Sequence, residues 1–385
     1  MKILVVVGAR PNFVKVAPIL KEFEKNSDIK WILIHTGQHF SNNMSSVFFE
    51  DLKIPNPHEF LNISSTTDNE QIAKMMLAFE APLSRFNPDW VLVVGDVNST
   101  LACSMTAAKA GFKVAHVEAG LRSFDRTMPE ELNRILTDHI ADLHFTSCRE
   151  ANENLIKEGV PEEKIKFVGN VMIDSIKKCS EELSGEELRK TFNVEPRNYG
   201  LVTLHRPCNV DNESVLENIV NELEELSKEI MLFFPVHPRT GKNFALLEKR
   251  VKRIKLLQPL SYKKFLLLEK WAKFVITDSG GVQEETSFLE VPCLTIRPNT
   301  ERMITVSSGT NKLVKPSELL SCVRKIINSE NYYKVDLPLW DGLTASRIVQ
   351  VFQKLYEDPR IFYADKDGIK AKEEEIVANY QSFLS

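Results

Sequence analysis

The sequence predicts an α/β protein built as two parallel-sheet domains that face each other across a cleft. Three observations carry that expectation. Short β-branched runs, apolar throughout, alternate with longer amphipathic stretches, as when strands buried on both faces are covered by helices. The alternation fades near residue 170 and starts afresh near residue 200. A chain of 385 residues is also too long for one ordinary core.

Taken in order, 3–7, 31–35, 90–94, 113–117 and 143–146 read as strands. Between them, 11–25, 68–86, 99–110 and 129–141 carry apolar residues at helical spacing. Residues 170–192 look helical, whereas 193–199 contain Pro and Arg without periodicity. A second set of strands follows at 200–203, 231–235, 254–257, 274–277 and 292–296, again with helices between. Two helical patterns, 344–356 and 363–384, close the sequence and are broken by Asp358-Pro359. Right-handed βαβ units of this kind give two Rossmann-like domains. The first spans 1–169 and is completed by a helix within 360–385; the second spans 170–359. A ligand would bind at the carboxyl ends of the strands, in the crevice between the sheets.

Composition narrows the function. Apolar residues make up 43% and charged residues 26%, a globular balance, and the net charge of -4 offers no basic face for nucleic acid. An anionic ligand must therefore be held by local donors. Cys103, Cys148, Cys179, Cys208, Cys293 and Cys322 stand far apart with no CxxC pair, which points to a reducing compartment rather than zinc or disulfides. The apolar run 3–7 is short and leads into Gly8-Ala9-Arg10-Pro11, so it reads as a first strand and not a secretion signal. No run reaches the roughly 18 apolar residues that a membrane span needs. The expectation is a cytoplasmic protein without membrane partners.

Polar motifs follow the strands. After the first, Gly8-Ala9-Arg10-Pro11-Asn12 places an Arg at a helix N-terminus, which suits a phosphate and equally suits an ordinary βα turn. Gly95-Asp96-Val97-Asn98-Ser99-Thr100 puts Asp96 at a strand end, with Asn98 or Ser99 able to cap the next helix. His116-Val117-Glu118-Ala119-Gly120-Leu121-Arg122 brings Glu118 out one strand over, while His116 fits better as a core histidine. Pro129-Glu130-Glu131 opens a helix with two acids, one of which is accounted for by the helix dipole. Asp96, Glu118 and one of that pair would form an acid/base cluster, since crowded carboxylates push one pKa up.

In the second half, Thr203-Leu204-His205-Arg206 and Val236-His237-Pro238-Arg239 each follow a strand; His can shuttle a proton and Arg can neutralise a phosphate. A surface polar loop would also account for the first of them. Asp278-Ser279-Gly280-Gly281 leads from strand to helix and would let backbone N–H groups approach a diphosphate. Glu285, about one turn into that helix, could reach ribose hydroxyls.

With Thr36-Gly37-Gln38-His39, Pro129-Glu130-Glu131-Leu132-Asn133-Arg134 and Gly309-Thr310-Asn311-Lys312 added, these motifs run through nearly the whole chain. In this the sequence resembles the non-hydrolysing UDP-N-acetylglucosamine 2-epimerases, which have the glycosyltransferase-B fold. The resemblance implies that Asp96, Glu118, Glu130 and His205 carry catalysis. It implies that Arg10, His237, Ser279, Gly280, Gly281 and Glu285 hold the UDP, with Phe265 near the uracil. It further implies no metal, no redox cofactor, and a homodimer. Members of the family eliminate UDP to leave a 2-acetamidoglucal, then return it with inversion at carbon 2. Some bacterial relatives bind a second UDP-N-acetylglucosamine near the loop that corresponds to Gln38 and His39.

The sequence departs from the family in three places. Cys208 stands where a Glu is usual, Thr66-Thr67-Asp68-Asn69-Glu70-Gln71 replaces the usual pattern of the regulatory segment, and Met303 replaces a Pro. The Cys208 departure keeps open the epimerisation of a modified sugar, such as a diacetamido-uronate. A glycosyltransferase using a UDP-sugar, a hydrolysing relative and a silent UDP-sugar sensor share the same expected fold.

Overall fold

The computed structural model describes residues 1–37, 54–65, 67–243, 251–328 and 335–358. Within them the first half forms β1 (Lys2–Val7), β2 (Lys30–His35), β3 (Glu59–Phe60), β4 (Trp90–Val94), β5 (Lys113–Ala119), β6 (Leu143–Thr146) and β7 (Ile165–Phe167). The second half forms β8 (Tyr199–Thr203), β9 (Met231–Pro235), β10 (Lys255–Leu257), β11 (Phe274–Thr277), β12 (Cys293–Thr295) and β13 (Asn311–Leu313). The two sheets have the orders β3-β2-β1-β4-β5-β6-β7 and β10-β9-β8-β11-β12-β13. Every strand pairing among the described residues is parallel. Parallel strands need helices on both faces, which is why Val5, Leu92, Leu201 and Val275 are wholly buried.

Each strand order reverses once, between β1 and β4 and between β8 and β11. The chain leaves such neighbouring strands in opposite directions, so a crevice opens at their carboxyl ends. The loops there begin at Gly8, Gly95, Leu204 and Asp278, which are the loops that carry the polar motifs. Asn12 ties two of them together: its side chain accepts from the amides of Gly8 and Ala9, both at 3.0 Å, and donates to the Val94 carbonyl at 2.9 Å.

The expected elements recur with instructive differences. The helical stretch 170–192 is two helices, Val171–Glu181 and Gly185–Phe192. The break is local chemistry: the Ser184 hydroxyl accepts from the Glu187 amide at 3.1 Å and caps the second helix. β3, β7 and β13 were not anticipated, and each is only two or three residues long. The larger correction concerns the helix Thr344–Glu357, which the sequence reading assigned to the second domain. It lies on the first sheet, where the Phe352 ring meets Phe23, Trp90 and Phe145 at centroid distances of 6.1, 5.8 and 5.6 Å. Asp174 caps it, accepting from the amides of Thr344 and Ala345 at 3.1 and 2.7 Å. The expected completing helix, 360–385, lies outside the described residues.

Candidate active site

Two cations and a backbone bulge place Glu118. The β5–β6 register shifts between Val117 and Ala119, and Glu118 adopts φ 73°, a conformation costly for a residue with a Cβ. The bulge turns its carboxylate toward the crevice, where it is buried between the Lys15 ammonium and the Arg302 guanidinium. Asp96, one strand over, pairs with Arg134 at 2.5 Å. Burial pushes the Asp96 carboxyl up, but the charges of Arg134, Lys15 and Arg302 outweigh that and hold it below its usual range. Asp96 and Glu118 therefore converge on shared cations, Lys15 and Arg302.

Glu130 and Glu131 divide their roles. Glu131 is wholly buried and accepts from the amides of Ser123 and Phe124 at 2.9 and 2.8 Å and from Arg134 at 2.8 Å. It holds the loop and the arginine in place. Glu130 is half-buried at the start of the same helix, and its carboxylate has no hydrogen bond or ion pair among the described residues. His116 is a core histidine, as expected: its Nδ1 lies 2.6 Å from Asp138 and its Nε2 lies 2.8 Å from the Gly95 carbonyl.

On the facing loop, His205 keeps 35% of its side chain exposed, with Nδ1 3.0 Å from the buried carboxylate of Asp278. Asp278 also accepts from the amides of His205 and Arg206, at 3.0 and 2.9 Å, and from Asn209 Nδ2 at 3.0 Å. Burial pushes its carboxyl up, but the bonds from His205, Arg206 and Asn209 prevail and hold it below the usual range. The His237 ring lies 5.1 Å from that of His205. His237 is exposed, and its Nδ1 accepts from the Arg239 amide at 3.2 Å.

Ser279, Gly280 and Gly281 open the helix Gly280–Phe288 with no side-chain cap, leaving its first amides turned to the crevice. The two glycines differ. A Cβ on Gly280 would lie 2.6 Å from Glu301 Oε1, whereas one on Gly281 would meet nothing nearer than 3.8 Å. Glu285 is buried, with the Tyr262 hydroxyl donating to it at 3.1 Å, so its carboxylate is already partly engaged. Phe265 is half-buried on the helix Tyr262–Trp271. The backbone of Arg10 opens the helix Arg10–Glu24; its side chain, like Gln38 and His39, lies outside what is described.

The sequence reading missed a set of buried charges that joins the two halves. Arg302 pairs with Glu118 of the first half and lies 3.1 Å from Glu284 of the second. Glu301 lies 2.8 Å from Arg297 and 3.8 Å from Arg134. Burial pushes Glu301 up, yet Arg134, Arg302 and Arg297 hold it well below the usual range. Burial drives Glu284 up to about 7, against the pull of Arg302. Lys15 had a detectable signal, a lone cation inside the apolar run Phe13-Val14-Lys15-Val16-Ala17. Among the described residues no cluster of His, Cys, Asp and Glu has the form of a metal site.

Comparisons with known proteins agree with this geometry. Residues 21–353 match the family model described as UDP-N-acetylglucosamine 2-epimerase. A UDP-N-acetylglucosamine 2-epimerase of Methanocaldococcus jannaschii is 44% identical over 363 residues, covering 91% of this chain and 98% of the relative. A crystal structure of the enzyme from that organism, in complex with UDP-GlcNAc and UDP, superposes with a TM-score of 0.85 at 43% identity, covering 92% of this chain and 100% of the other. The UDP-GlcNAc-bound enzyme of Neisseria meningitidis gives a TM-score of 0.86 at 30% identity, covering 92% and 100%. A UDP-2,3-diacetamido-2,3-dideoxy-D-glucuronate 2-epimerase of Pseudomonas aeruginosa is 39% identical over 318 residues, 82% of this chain and 88% of that one. With acids on one rim of the crevice, a histidine and an open helix terminus on the other, and likeness over nearly the full length, this chain belongs to the UDP-N-acetylglucosamine 2-epimerase family.

Proposed function

We propose that this chain interconverts UDP-N-acetylglucosamine and UDP-N-acetylmannosamine by removing and restoring UDP. In the first step a carboxylate of the Asp96, Glu118 and Glu130 group takes the carbon-2 proton while the carbon-1 oxygen bond breaks. The electron pair leaves with UDP and a 2-acetamidoglucal remains. UDP then adds back to carbon 1, and carbon 2 takes a proton on the opposite face. His205, oriented by Asp278, is assigned to proton transfer at the departing diphosphate, with Arg10, His237 and the N-terminus at Ser279-Gly280-Gly281 holding it. Glu285 and Phe265 are assigned to the ribose and uracil, and Gln38 and His39 to a second nucleotide-sugar site.

The observation that carries this reading is the pairing of Asp96 and Glu118 with buried cations opposite the His205–Asp278 pair, in a chain 43% identical to an enzyme crystallised with UDP-GlcNAc and UDP. Holding both fragments between the two steps requires a cleft that closes. We assign the two halves of that cleft to 1–169 with 344–357, and to 170–343. The family resemblance favours a homodimer, and six free thiols favour the cytoplasm.

Proton NMR of the enzyme with UDP-N-acetylglucosamine in deuterium oxide tests the reading. UDP-N-acetylmannosamine carrying deuterium at carbon 2 supports it, whereas unchanged substrate without exchange rejects it. The diacetamido-glucuronate sugar is the second reading, favoured by Cys208 and by the Pseudomonas relative. A higher kcat/KM on that sugar would select it.

A further inference from the structure

Two buried carboxyl groups lie side by side beneath the nucleotide face of the second half, and the proposed reaction uses only one of them. Glu269, on the helix Tyr262–Trp271, is 0% exposed. Neither of its oxygens meets an N–H or hydroxyl donor among the described residues. What faces it is the carboxyl of Glu285, from the helix Gly280–Phe288. The groups around the pair are Tyr262 on the first helix, Cys179 on the helix Val171–Glu181 and Cys293 on β12. No cation among the described residues acts on either carboxyl.

Two ionised carboxylates cannot share so dry a place, because like charges repel and neither is paid back for its lost hydration. The pair must therefore keep a proton, as acid pairs in dry sites do. Burial raises both groups, Glu269 well above the usual range and with Glu285 adding to the push. Glu285 already has the Tyr262 hydroxyl to stabilise a charge, while Glu269 has no donor among the described residues, so Glu269 is the neutral donor. Glu285 becomes the carboxylate, accepting from Glu269 and from the Tyr262 hydroxyl at 3.1 Å.

We propose that Glu269 is a positioning residue whose retained proton is donated to Glu285, fixing that carboxylate where it can accept the ribose hydroxyls of UDP. The proposal rests on the assignment of Glu285 to the ribose. Its consequence is an alkaline limit on nucleotide binding. Below the titration of the pair the proton is present and Glu285 is held. As pH rises through it, the proton leaves, the two charges push apart and the seat for the ribose is lost.

The test is calorimetric titration of UDP into the full-length enzyme from about pH 6 to 9.5. Wild type should lose affinity about ten- to hundredfold toward the alkaline end, the scale of one hydrogen bond to a charged group. Glu269→Gln keeps a donor and cannot titrate, so it should bind as wild type at neutral pH and lack the alkaline loss. Glu269→Met, of similar volume but without a donor, should bind about tenfold more weakly at neutral pH while keeping its circular dichroism. Titration of UDP itself is common to all variants. An unchanged alkaline loss in Glu269→Gln, or full affinity in Glu269→Met, overturns the proposal.

Glu285→Gln separates this from the underlying assignment, because full UDP affinity in that variant removes Glu285 from the ribose. The shared proton is then read without nucleotide. A protonated-carboxyl band in the infrared spectrum near neutral pH, lost in Glu269→Gln, supports the pair, and its absence from wild type rejects it.

Discussion

A histidine moves a proton from the nitrogen it leaves free, and at His205 that choice is made by Asp278. With Nδ1 held at 3.0 Å, Nε2 is the atom left for the proton transfer proposed above. Asp278→Asn would present an amide to that nitrogen and favour the wrong tautomer. We expect kcat to fall about 10²- to 10⁴-fold with UDP affinity little changed, measured by turnover and calorimetry. Asp96→Asn and Glu118→Gln should each lower turnover at least about 10²-fold while the circular dichroism holds; near-full activity in both would remove them from the chemistry. Glu284 gives a stability signature instead. Its carboxyl, raised to about 7, contributes stability below the unfolded value near 4.5 and loses it as pH rises through 7. The melting temperature of Glu284→Gln should therefore fall less than that of wild type across this window. Asp96 and Glu118 were legible in the sequence because strand ends mark a crevice. Arg302 and Glu284 were not, because a charge in a helix or loop reads as solvated until its partner across the fold is known; Lys15 left only the mark of a lone cation in an apolar run.

At the scale of elements, the helix Gly280–Phe288 offers a paired test of the diphosphate seat. Gly280→Ala sets a Cβ 2.6 Å from Glu301 Oε1. Glu301 cannot yield freely because Arg297 holds it at 2.8 Å. A loss of about 1–3 kcal/mol in stability is expected, read by thermal or denaturant unfolding. Gly281→Ala has 3.8 Å of clearance, so the unliganded protein should keep its stability. If the first amides of that helix receive the diphosphate, the same methyl obstructs it and raises the Kd for UDP. Unchanged Kd in this variant would place the diphosphate elsewhere. The pattern of long, periodic helices and of strands buried on both faces was readable. β3, β7 and β13 were not, because two or three residues hold no period, and they exist by pairing with strands already formed. The bulge at Glu118 was equally hidden: only the mismatch with β6 reveals it.

The whole molecule is held together by contacts that sequence periodicity does not encode. The two parallel sheets and the change of pattern near residue 170 were legible, and so was the crevice at the strand ends; the strand orders were not. The return of Thr344–Glu357 to the first sheet was not, since an amphipathic pattern fixes that a helix has an apolar face but not which sheet receives it. The loop from Arg297 to Arg302 crosses the cleft in the same way, bringing Arg302 to Glu118, Glu301 to Arg134, and Asn299 to Asp125 at 3.3 Å. Arg302 and Glu118 have only 6% and 5% of their side chains exposed, so salt should screen their attraction little. Removing one partner is more telling, because the carboxylates left behind stay buried, Glu118 with Lys15 alone and Glu284 without the guanidinium it faced. Arg302→Met should cost about 3–5 kcal/mol, since Glu118 and Glu284 both lose their guanidinium. The cheapest relief is hydration, and water reaches these groups if the halves part. The variant should therefore show a larger radius of gyration in solution scattering without nucleotide, and saturating UDP should draw it back toward wild type. A variant that loses stability yet keeps the wild-type radius would mean that the cleft is held by other contacts and that Arg302 serves Glu118 alone.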